Sequence, residues 1–237
     1  MLDQNAAPRA LVLPPPYTAH WLAGGDAFAE AQRLAPEHGA GLLVWHLSTG
    51  EGRAGRLDFA VVLEPETPLV EARRAFLIGM VALSEAISAH CPPERAVTFG
   101  WPGQVLFDGG KLGGMRFASA PVLGEADVPD WMVLGAELIA DRNHLAMPGS
   151  MPGSVSLEEE GFADPAAIVE SFAAYLMLNF DRWTHDGFAS VAARYAAAIG
   201  PEAAIDESGA LVREGSTAPL AEAVTETPWR DAEGPTL

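Results

Sequence analysis

The stretch VTFGWPGQVLFDGGKLGGMRF, residues 97–117, alternates short apolar runs with turn residues and contains Lys111. A kink at Pro102 and a glycine turn at residues 108–110 divide it into three segments that we predict to be strands. Lysine and arginine together number 14, and Lys111 is the only lysine. An ammonium is a compact charge that a guanidinium does not always replace. Lys111 is therefore either an exposed hairpin residue or the partner of an anion bound near this turn.

The segments around this stretch predict an α+β fold. Short apolar runs bounded by turn residues predict further strands at 41–47, 57–65 and 131–140. Apolar residues spaced by three and four predict helices at 25–35, 69–90, 165–183 and 187–199, with Asp26 as the first N-cap. Strands dominate the middle and helices flank them, so we expect a mixed β-sheet with helices packed on it.

The chain length of 237 residues suits one large domain with a small appendage. We assign residues 1–200 to an α+β domain, of which residues 1–20 are an extended, proline-rich lead-in. Residues 201–237 are a short acidic appendage with one hairpin around residues 207–209. No internal repeat is visible.

Composition excludes several classes of function. A formal net charge of -18 argues against nucleic acid and against an anionic membrane surface as partners. No apolar run approaches the roughly 20 residues of a membrane span, and the N-terminus does not resemble a signal peptide. The single cysteine, Cys91, excludes a disulfide framework and fits a cytoplasmic protein. The six histidines are scattered without a pair at helical spacing, so we predict no metal site.

GEGRAG, residues 50–55, matches the G-x-G-x-x-G spacing of dinucleotide-binding loops. That motif requires a helix to follow, because the helix N-terminus holds the pyrophosphate. The following LDFAVVLEP has the alternation of a strand, so we reject a dinucleotide site. The loop carries Arg53 and Arg56, which are either solvated charges on a hairpin or part of a loop that closes over a phosphate or carboxylate.

Three blocks in this order resemble the biotin and lipoate protein ligase family. GEGRAGR (50–56) is similar to the GRGRxGR loop of that family, with both arginines retained. GWPGQ (100–104) resembles KWPND, and KLGGM (111–115) resembles KLAGI at nearly the same spacing. The matching residues of the last two blocks are Trp101, Pro102, Lys111, Leu112 and Gly114.

The likeness continues more weakly along the chain. WMVLGAEL resembles a strand ending in a GIGLN pattern, SVSLEEEGF (154–162) resembles TSLxEEG, and DGFASVAARY resembles the last helix of the catalytic domain. The resemblance covers roughly residues 21–200 and implies the biotin/lipoate ligase-like fold, which is related to class II synthetases.

The resemblance also implies chemistry on a carboxylate. A vitamin acid such as biotin or lipoate attacks the α-phosphate of ATP, with Mg²⁺ as cofactor, and the acyl-adenylate then passes its acyl group to a lysine of a carrier domain. Positive charge must surround both anions, and a mobile glycine loop must exclude water. By similarity, Lys111 and Arg53 are the catalytic candidates. The implied substrate-binding residues are Gly50, Gly52, Gly55, Arg56, Trp101, Leu112, Gly113 and Gly114.

The sequence departs from the family patterns where the ligases do their metal and nucleotide work. Gly100, Gly103 and Gln104 replace the lysine, asparagine and aspartate of KWPND, and Ile139 stands at the asparagine of GIGLN. Two hypotheses therefore remain open. The chain is a ligase of a small carboxylic acid, or it is a non-catalytic module that keeps the acid pocket without the ATP and metal machinery. The sequence also leaves open whether the chain forms a homodimer.

Overall fold

A seven-stranded mixed sheet forms the centre of the computed structural model, which describes residues 9–50, 53–145, 147, 151 and 153–237. The strands follow the order β1-β2-β3-β7-β6-β5-β4. Only β1 and β2 pair in parallel among the pairs of this sheet, and the other pairs are antiparallel. The strands are β1 Thr18–Trp21, β2 Leu42–Ser48, β3 Gly55–Leu63, β4 Val97–Gly100, β5 Gln104–Phe107, β6 Gly110–Ser119 and β7 Met132–Asp141. The predicted mixed sheet with flanking helices is confirmed.

The helices are α1 Ala27–His38, α2 Leu69–Ala72, α3 Ala75–Ser88, α4 Pro165–Asp186, α5 Phe188–Ile199 and α6 Leu220–Ala223. Asp26 caps α1 as predicted, because its side chain accepts a hydrogen bond from the backbone N–H of Ala29. The single helix predicted over 69–90 is wrong. The chain forms α2 and α3, and at Arg73 and Arg74 it tightens into hydrogen bonds spaced by three residues.

Alternation along the strands directs side chains to two apolar layers. Helix α1 packs on one face through residues such as Phe28 and Leu34, against Val44 and Val62. Helices α3, α4 and α5 cover the other face and enclose the larger core, which includes Phe59. Helix α1 contacts β2, β3 and β7. The part of this sheet face that lies beyond the N-terminus of α1 must be covered by another segment.

The residues after 200 form small hairpins, one of which supplies that cover. Strands β8 Ala204–Ile205 and β9 Leu211–Arg213 form the predicted hairpin around residues 207–209, and β10 Ser216–Ala218 extends it. Residues 227–236, which we call the strap, contain the paired strands β11 Arg230–Asp231 and β12 Gly234–Pro235. The strap lies against β6 and β7 on the face that α1 leaves open.

None of the helices within the described ranges combines the length and the apolar character that crossing a bilayer requires.

Candidate functional site

Asp141 at the end of β7 fixes the start of the glycine loop. Its carboxylate accepts hydrogen bonds from the backbone N–H of Gly50, at 2.9 and 3.2 Å, and from that of Asn143 at 3.1 Å. A Cβ added at Gly50 would lie 2.5 Å from this carboxylate, and one at Gly55 would lie 2.1 Å from it. Two of the predicted binding glycines therefore enclose a buried carboxylate. Gly52, another predicted binding residue, lies outside the described residues.

Arg53 and Arg56 line the same cavity but differ in environment. The cavity has a volume of about 310 Å³, and we call it the loop–strap cavity because the glycine loop and the strap form its walls. Arg53 is exposed, whereas Arg56 is buried and donates to Glu137 Oε1 at 2.6 Å. The Nε atom of Arg56 finds no partner among the described residues. The cavity is lined by Arg53, Ala54, Arg56, His144, Asp231, Glu233, Gly234, Pro235, Thr236 and Leu237.

His144 adds a third nitrogen-bearing side chain to this cavity. Its Nδ1 atom is buried and has no hydrogen-bond partner in the described part of the chain. Nothing in the sequence distinguishes His144 from the other histidines, because most of its neighbours in the cavity come from distant segments. His46, by contrast, is buried in β2 and its Nδ1 contacts the carbonyl of Leu22 at 2.8 Å, while burial lowers its pKa.

Lys111 lies at the start of β6 beside the loop–strap cavity. Its Nζ donates to Thr236 Oγ1 at 2.5 Å, and Thr236 lines the cavity. The backbone N–H of Lys111 donates to the carbonyl of Gly153 and its carbonyl accepts from the N–H of Val155, at 2.9 Å each, which fixes Lys111 against the segment 153–155. The ammonium is thus directed to the same region as Arg53 and Arg56, and in this structure a strap residue is its partner.

The residues after Lys111 show why the KLGG turn needs its glycines. A Cβ at Gly113 would lie 2.0 Å from the carbonyl oxygen of Glu137, and φ at Gly113 is +153°. A Cβ at Gly114 would lie 2.4 Å from the indole of Trp229 and also 2.4 Å from the carbonyl oxygen of Gly103. Leu112 is fully buried in the large core, where it serves packing. Because Gly114 has no side chain, another group can approach its backbone closely. In this structure that group is the indole of Trp229 in the strap.

Trp101 is not brought together with Lys111. It lines a different cavity, of about 400 Å³, between Pro102 and residues 217–228. Its ring lies 6.0 Å from that of Tyr195, whose hydroxyl donates to the carbonyl of Pro102. The predicted binding role of Trp101 has no support from this placement, and it stays a prediction.

Sequence reasoning missed a buried cluster of charged side chains next to the loop–strap cavity. Glu137 is fully buried and accepts from Arg56 at 2.6 Å and from Arg230 Nε at 2.9 Å. Arg116 donates to both oxygens of Asp26 at 2.8 Å, and its guanidinium lies 4.5 Å from the ring centroid of Phe28. The cluster consists of Arg56, Arg116, Arg230, Asp26, Asp58 and Glu137.

Asp58 is the least compensated member of this cluster. It is fully buried, its Oδ2 accepts from the backbone N–H of Ala27 at 2.8 Å, and its Oδ1 has no hydrogen-bond partner among the described residues. Burial and the nearby charge of Glu137 raise the pKa of Asp58 to about 7. Burial is the largest single influence on the pKa of Asp26 and acts to raise it, but the hydrogen bonds and charge of Arg116 together with the N–H of Ala29 and the charge of Arg230 leave that pKa lowered.

A signal for this cluster was present in the sequence. Arg56 and Asp58 are separated by two positions in β3, so their side chains share a face, and Glu137 interrupts the apolar run of β7. In the GIGLN pattern that β7 resembles, a glycine stands at the position of Glu137. A charged side chain at an inward-facing strand position costs free energy unless it is paired. Such a residue therefore indicates a part of the sheet face that is not purely an apolar packing surface.

The donors around the loop–strap cavity fit phosphate oxygens. The guanidinium groups of Arg53 and Arg56 and the unpartnered ring nitrogen of His144 line this cavity of about 310 Å³, together with the acidic residues Asp231 and Glu233. Lys111 is linked to it through Thr236. Among the described residues, no three acidic, histidine or cysteine side chains lie close enough together to bind a metal ion. A metal ion at this site would therefore be held mainly by the phosphates of a bound nucleotide. Mg²⁺ commonly uses one or two carboxylates together with substrate phosphates.

A larger cavity of about 480 Å³ lies at the opposite end of β3. Its described lining is mainly apolar and includes Glu64 and Glu66 but no lysine or arginine. A carboxylate or phosphate ligand would meet repulsion there. The loop–strap cavity also holds two acidic residues, Asp231 and Glu233, but of the two cavities it is the one that offers arginines to an anion.

The fold and this site define an α+β domain with a pocket that carries Arg53 and Arg56 at one end of its sheet. Residues 13–197 match the model of the biotin/lipoate A/B protein ligase family. The chain is 30% identical over 220 residues to a biotin–[acetyl-CoA-carboxylase] ligase of Paracoccus denitrificans, covering 79% of this chain and 90% of that protein. This chain belongs to the biotin/lipoate A/B protein ligase family.

Solved structures agree with this assignment. A biotin protein ligase-like protein of unknown function from Silicibacter sp. TM1040 superposes with a TM-score of 0.77 at 26% identity, covering 90% of this chain and 99% of that chain. The biotin protein ligase of Aquifex aeolicus in complex with biotin and ATP superposes with a TM-score of 0.59 at 18% identity, covering 82% and 90%. The superposition on the Aquifex aeolicus structure shows that the two chains share a fold.

Proposed function

We propose that this chain is a ligase that binds a small carboxylic acid of the biotin or lipoate type beside Lys111 and ATP in the loop–strap cavity. The acid would be activated as an acyl-adenylate, with release of pyrophosphate, and its acyl group would pass to a lysine of a carrier domain. The observation that carries this proposal is that Arg53, Arg56 and His144 line one cavity and that Lys111 bonds to Thr236, which lines it too. Membership of the family and the biotin- and ATP-bound relative support it.

Each basic group has a distinct part in this proposal. Lys111 would hold the carboxylate of the acid, because an ammonium forms stronger hydrogen bonds to an ionised acceptor than to a hydroxyl such as that of Thr236. Arg53, which is exposed at the cavity wall, is free to face a phosphate. Arg56 offers its unpartnered Nε while Glu137 fixes its other end. The glycine loop, anchored by Asp141, would exclude water from the reactive acyl-adenylate.

A specific observation favours a second candidate function, which is binding without turnover. Glu137 places a buried carboxylate beside the pocket where the related pattern has glycine, and Gly100, Gly103, Gln104 and Ile139 have replaced polar groups of the related motifs. Removal of one electrostatic stabiliser costs roughly a hundredfold or more in rate. A module of this kind would hold the acid at Lys111 and release it unchanged.

One experiment separates the two candidates. Purified full-length protein is incubated with ATP, Mg²⁺ and either biotin or lipoic acid, and exchange of labelled pyrophosphate into ATP is measured. Labelling of apo-carrier domains of both kinds is followed in parallel. The ligase proposal expects exchange that Lys111→Ala and Arg53→Ala reduce by roughly a hundredfold. Arg33→Ala, an exposed arginine on α1, serves as the matched control.

Acid binding by calorimetry without exchange or labelling would establish the second candidate and reject the ligase. Absence of both binding and exchange would reject the site at Lys111 altogether.

A further inference from the structure

The strap occupies the places that the resemblance assigns to a ligand. Thr236 accepts from Lys111, Trp229 lies on Gly114, and the carbonyl of Glu233 accepts from Arg56 Nη1 at 3.2 Å. Three predicted ligand contacts from two separate motifs are therefore met by one segment of the same chain. Trp229 is only 2% exposed, so the indole fills its position completely.

The strap holds its own shape through internal hydrogen bonds. Arg230 pairs with Pro235 and Asp231 with Gly234 across the β11–β12 hairpin. The carbonyl of Trp229 accepts from both the N–H and the hydroxyl of Thr236, at 3.0 and 3.2 Å, and the turn is closed by Asp231 and Glu233. Because these bonds stay within the segment, the strap can leave the sheet as one unit without losing them.

The contacts between the strap and the sheet are of a kind that a ligand can replace. The Lys111 ammonium is paired with a neutral hydroxyl, for which a carboxylate is a stronger substitute. Trp229 contributes an apolar ring against the backbone of Gly114, which the ring system or chain of an acid can match. Glu137 would keep Arg56 as its partner when Arg230 departs.

We infer that the strap is an autoinhibitory segment that competes with the carboxylic acid for its site. In the closed state, Thr236 takes the place of the acid's carboxylate on Lys111 and Trp229 takes the place of its apolar body on Gly114. The acid binds only when the strap has left, and ATP would then lie against the remaining wall of the cavity, which carries Arg53 and Arg56. This inference rests on the proposed acid site at Lys111 and adds its regulation.

Competition of this kind has a quantitative consequence. The apparent affinity for the acid is the intrinsic affinity multiplied by the fraction of molecules with an open strap. A substitution that weakens the strap without touching the sheet must therefore tighten acid binding. Trp229→Ala removes the buried ring, and Thr236→Val removes the acceptor of Lys111 while keeping the side-chain shape.

The test compares full-length wild type with Trp229→Ala and Thr236→Val, using biotin and lipoic acid as probes in calorimetry. Trp183→Ala is the matched control, because Trp183 on α4 lines the apolar cavity at the other end of β3. We expect the dissociation constant of the acid to fall by about tenfold or more in Trp229→Ala, to fall by less in Thr236→Val and to stay unchanged in the control. In wild type, saturating acid should also speed hydrogen exchange of the peptide 225–237.

The outcomes separate this inference from the proposed function. Equal affinity in wild type and both strap variants, or weaker binding in the variants, would overturn autoinhibition and leave the acid site in place. Slower exchange of the peptide 225–237 on acid binding would also overturn it, since the strap would then close over the ligand. If no acid binds even the variants, the site at Lys111 fails and this inference fails with it. Thr236→Val keeps the test valid if Trp229→Ala does not fold.

Discussion

Trp229 lies against Gly114, so closely that a Cβ on the glycine would stand 2.4 Å from the indole. The two residues come from different parts of the chain, one from the strap and the other from the centre of β6. Their contact connects the KLGGM motif (111–115), which resembles the family pattern, with the strap, which lies outside the residues that the resemblance covers. Under the proposed autoinhibition, the position of the strap would decide whether the acid site is available.

Gly114→Ala is expected to destabilise the protein by about 1–3 kcal/mol, because the added methyl group meets both Trp229 and the carbonyl oxygen of Gly103. The free energy of unfolding is measured by chemical denaturation. Gly124→Ala is the matched control, since nothing lies within 4 Å of a Cβ at that position. Equal stability of the two variants would show that the close packing at Gly114 is absent in solution.

Glu137→Gln is expected to destabilise the protein by about 3–5 kcal/mol, because it deprives the buried Arg56 and the partly buried Arg230 of their shared carboxylate. The denaturation midpoint provides the measurement. Glu30→Gln breaks an exposed pair with Arg33 on α1 and should have little effect. A stable Glu137→Gln variant would mean that water or another carboxylate of the cluster compensates the two arginines.

Asp58 is expected to make stability depend on pH. Its folded-state pKa of about 7 lies above that of a free aspartate, so the folded protein holds this proton more tightly than the unfolded chain. The stability that Asp58 contributes is therefore present at acidic pH and is lost as pH rises from about 4 to about 7.

Asp58→Asn removes this titration and keeps an oxygen for the N–H of Ala27. The change in melting temperature caused by Asp58→Asn should be more favourable at pH 8 than at pH 5. The same effect at both pH values would show that the carboxyl group titrates normally.

Asp141→Ala is expected to loosen the glycine loop, because the backbone N–H groups of Gly50 and Asn143 lose their acceptor. Loss of two such hydrogen bonds should raise the rate of trypsin cleavage after Arg53 by roughly tenfold. Asp130→Ala, an exposed carboxylate before β7, is the matched control. An unchanged cleavage rate would assign the position of the loop to other contacts.

Much of the fold could be predicted from the sequence because its signals are local. The apolar runs of residues 57–65 and 131–140 predicted β3 and β7 to within two residues, and Asp26 was predicted as an N-cap from its position before an apolar period. The break between α2 and α3 was missed. Arg73 has helical backbone angles there, and only its ion pair with Glu125, 52 residues away, distinguishes the position.

The sequence by itself determined the family, the order of the main-sheet strands along the chain and the presence of Lys111, Arg53 and Arg56 in glycine-rich segments. The tertiary structure decided what these side chains contact. Lys111 meets Thr236 at a separation of 125 residues, and Glu137 meets Arg56 and Arg230 at separations of 81 and 93. Local propensity and motif spacing carry no information about such pairs. They form because the sheet face beyond α1 must be covered, and the strap is the segment that folds back to cover it.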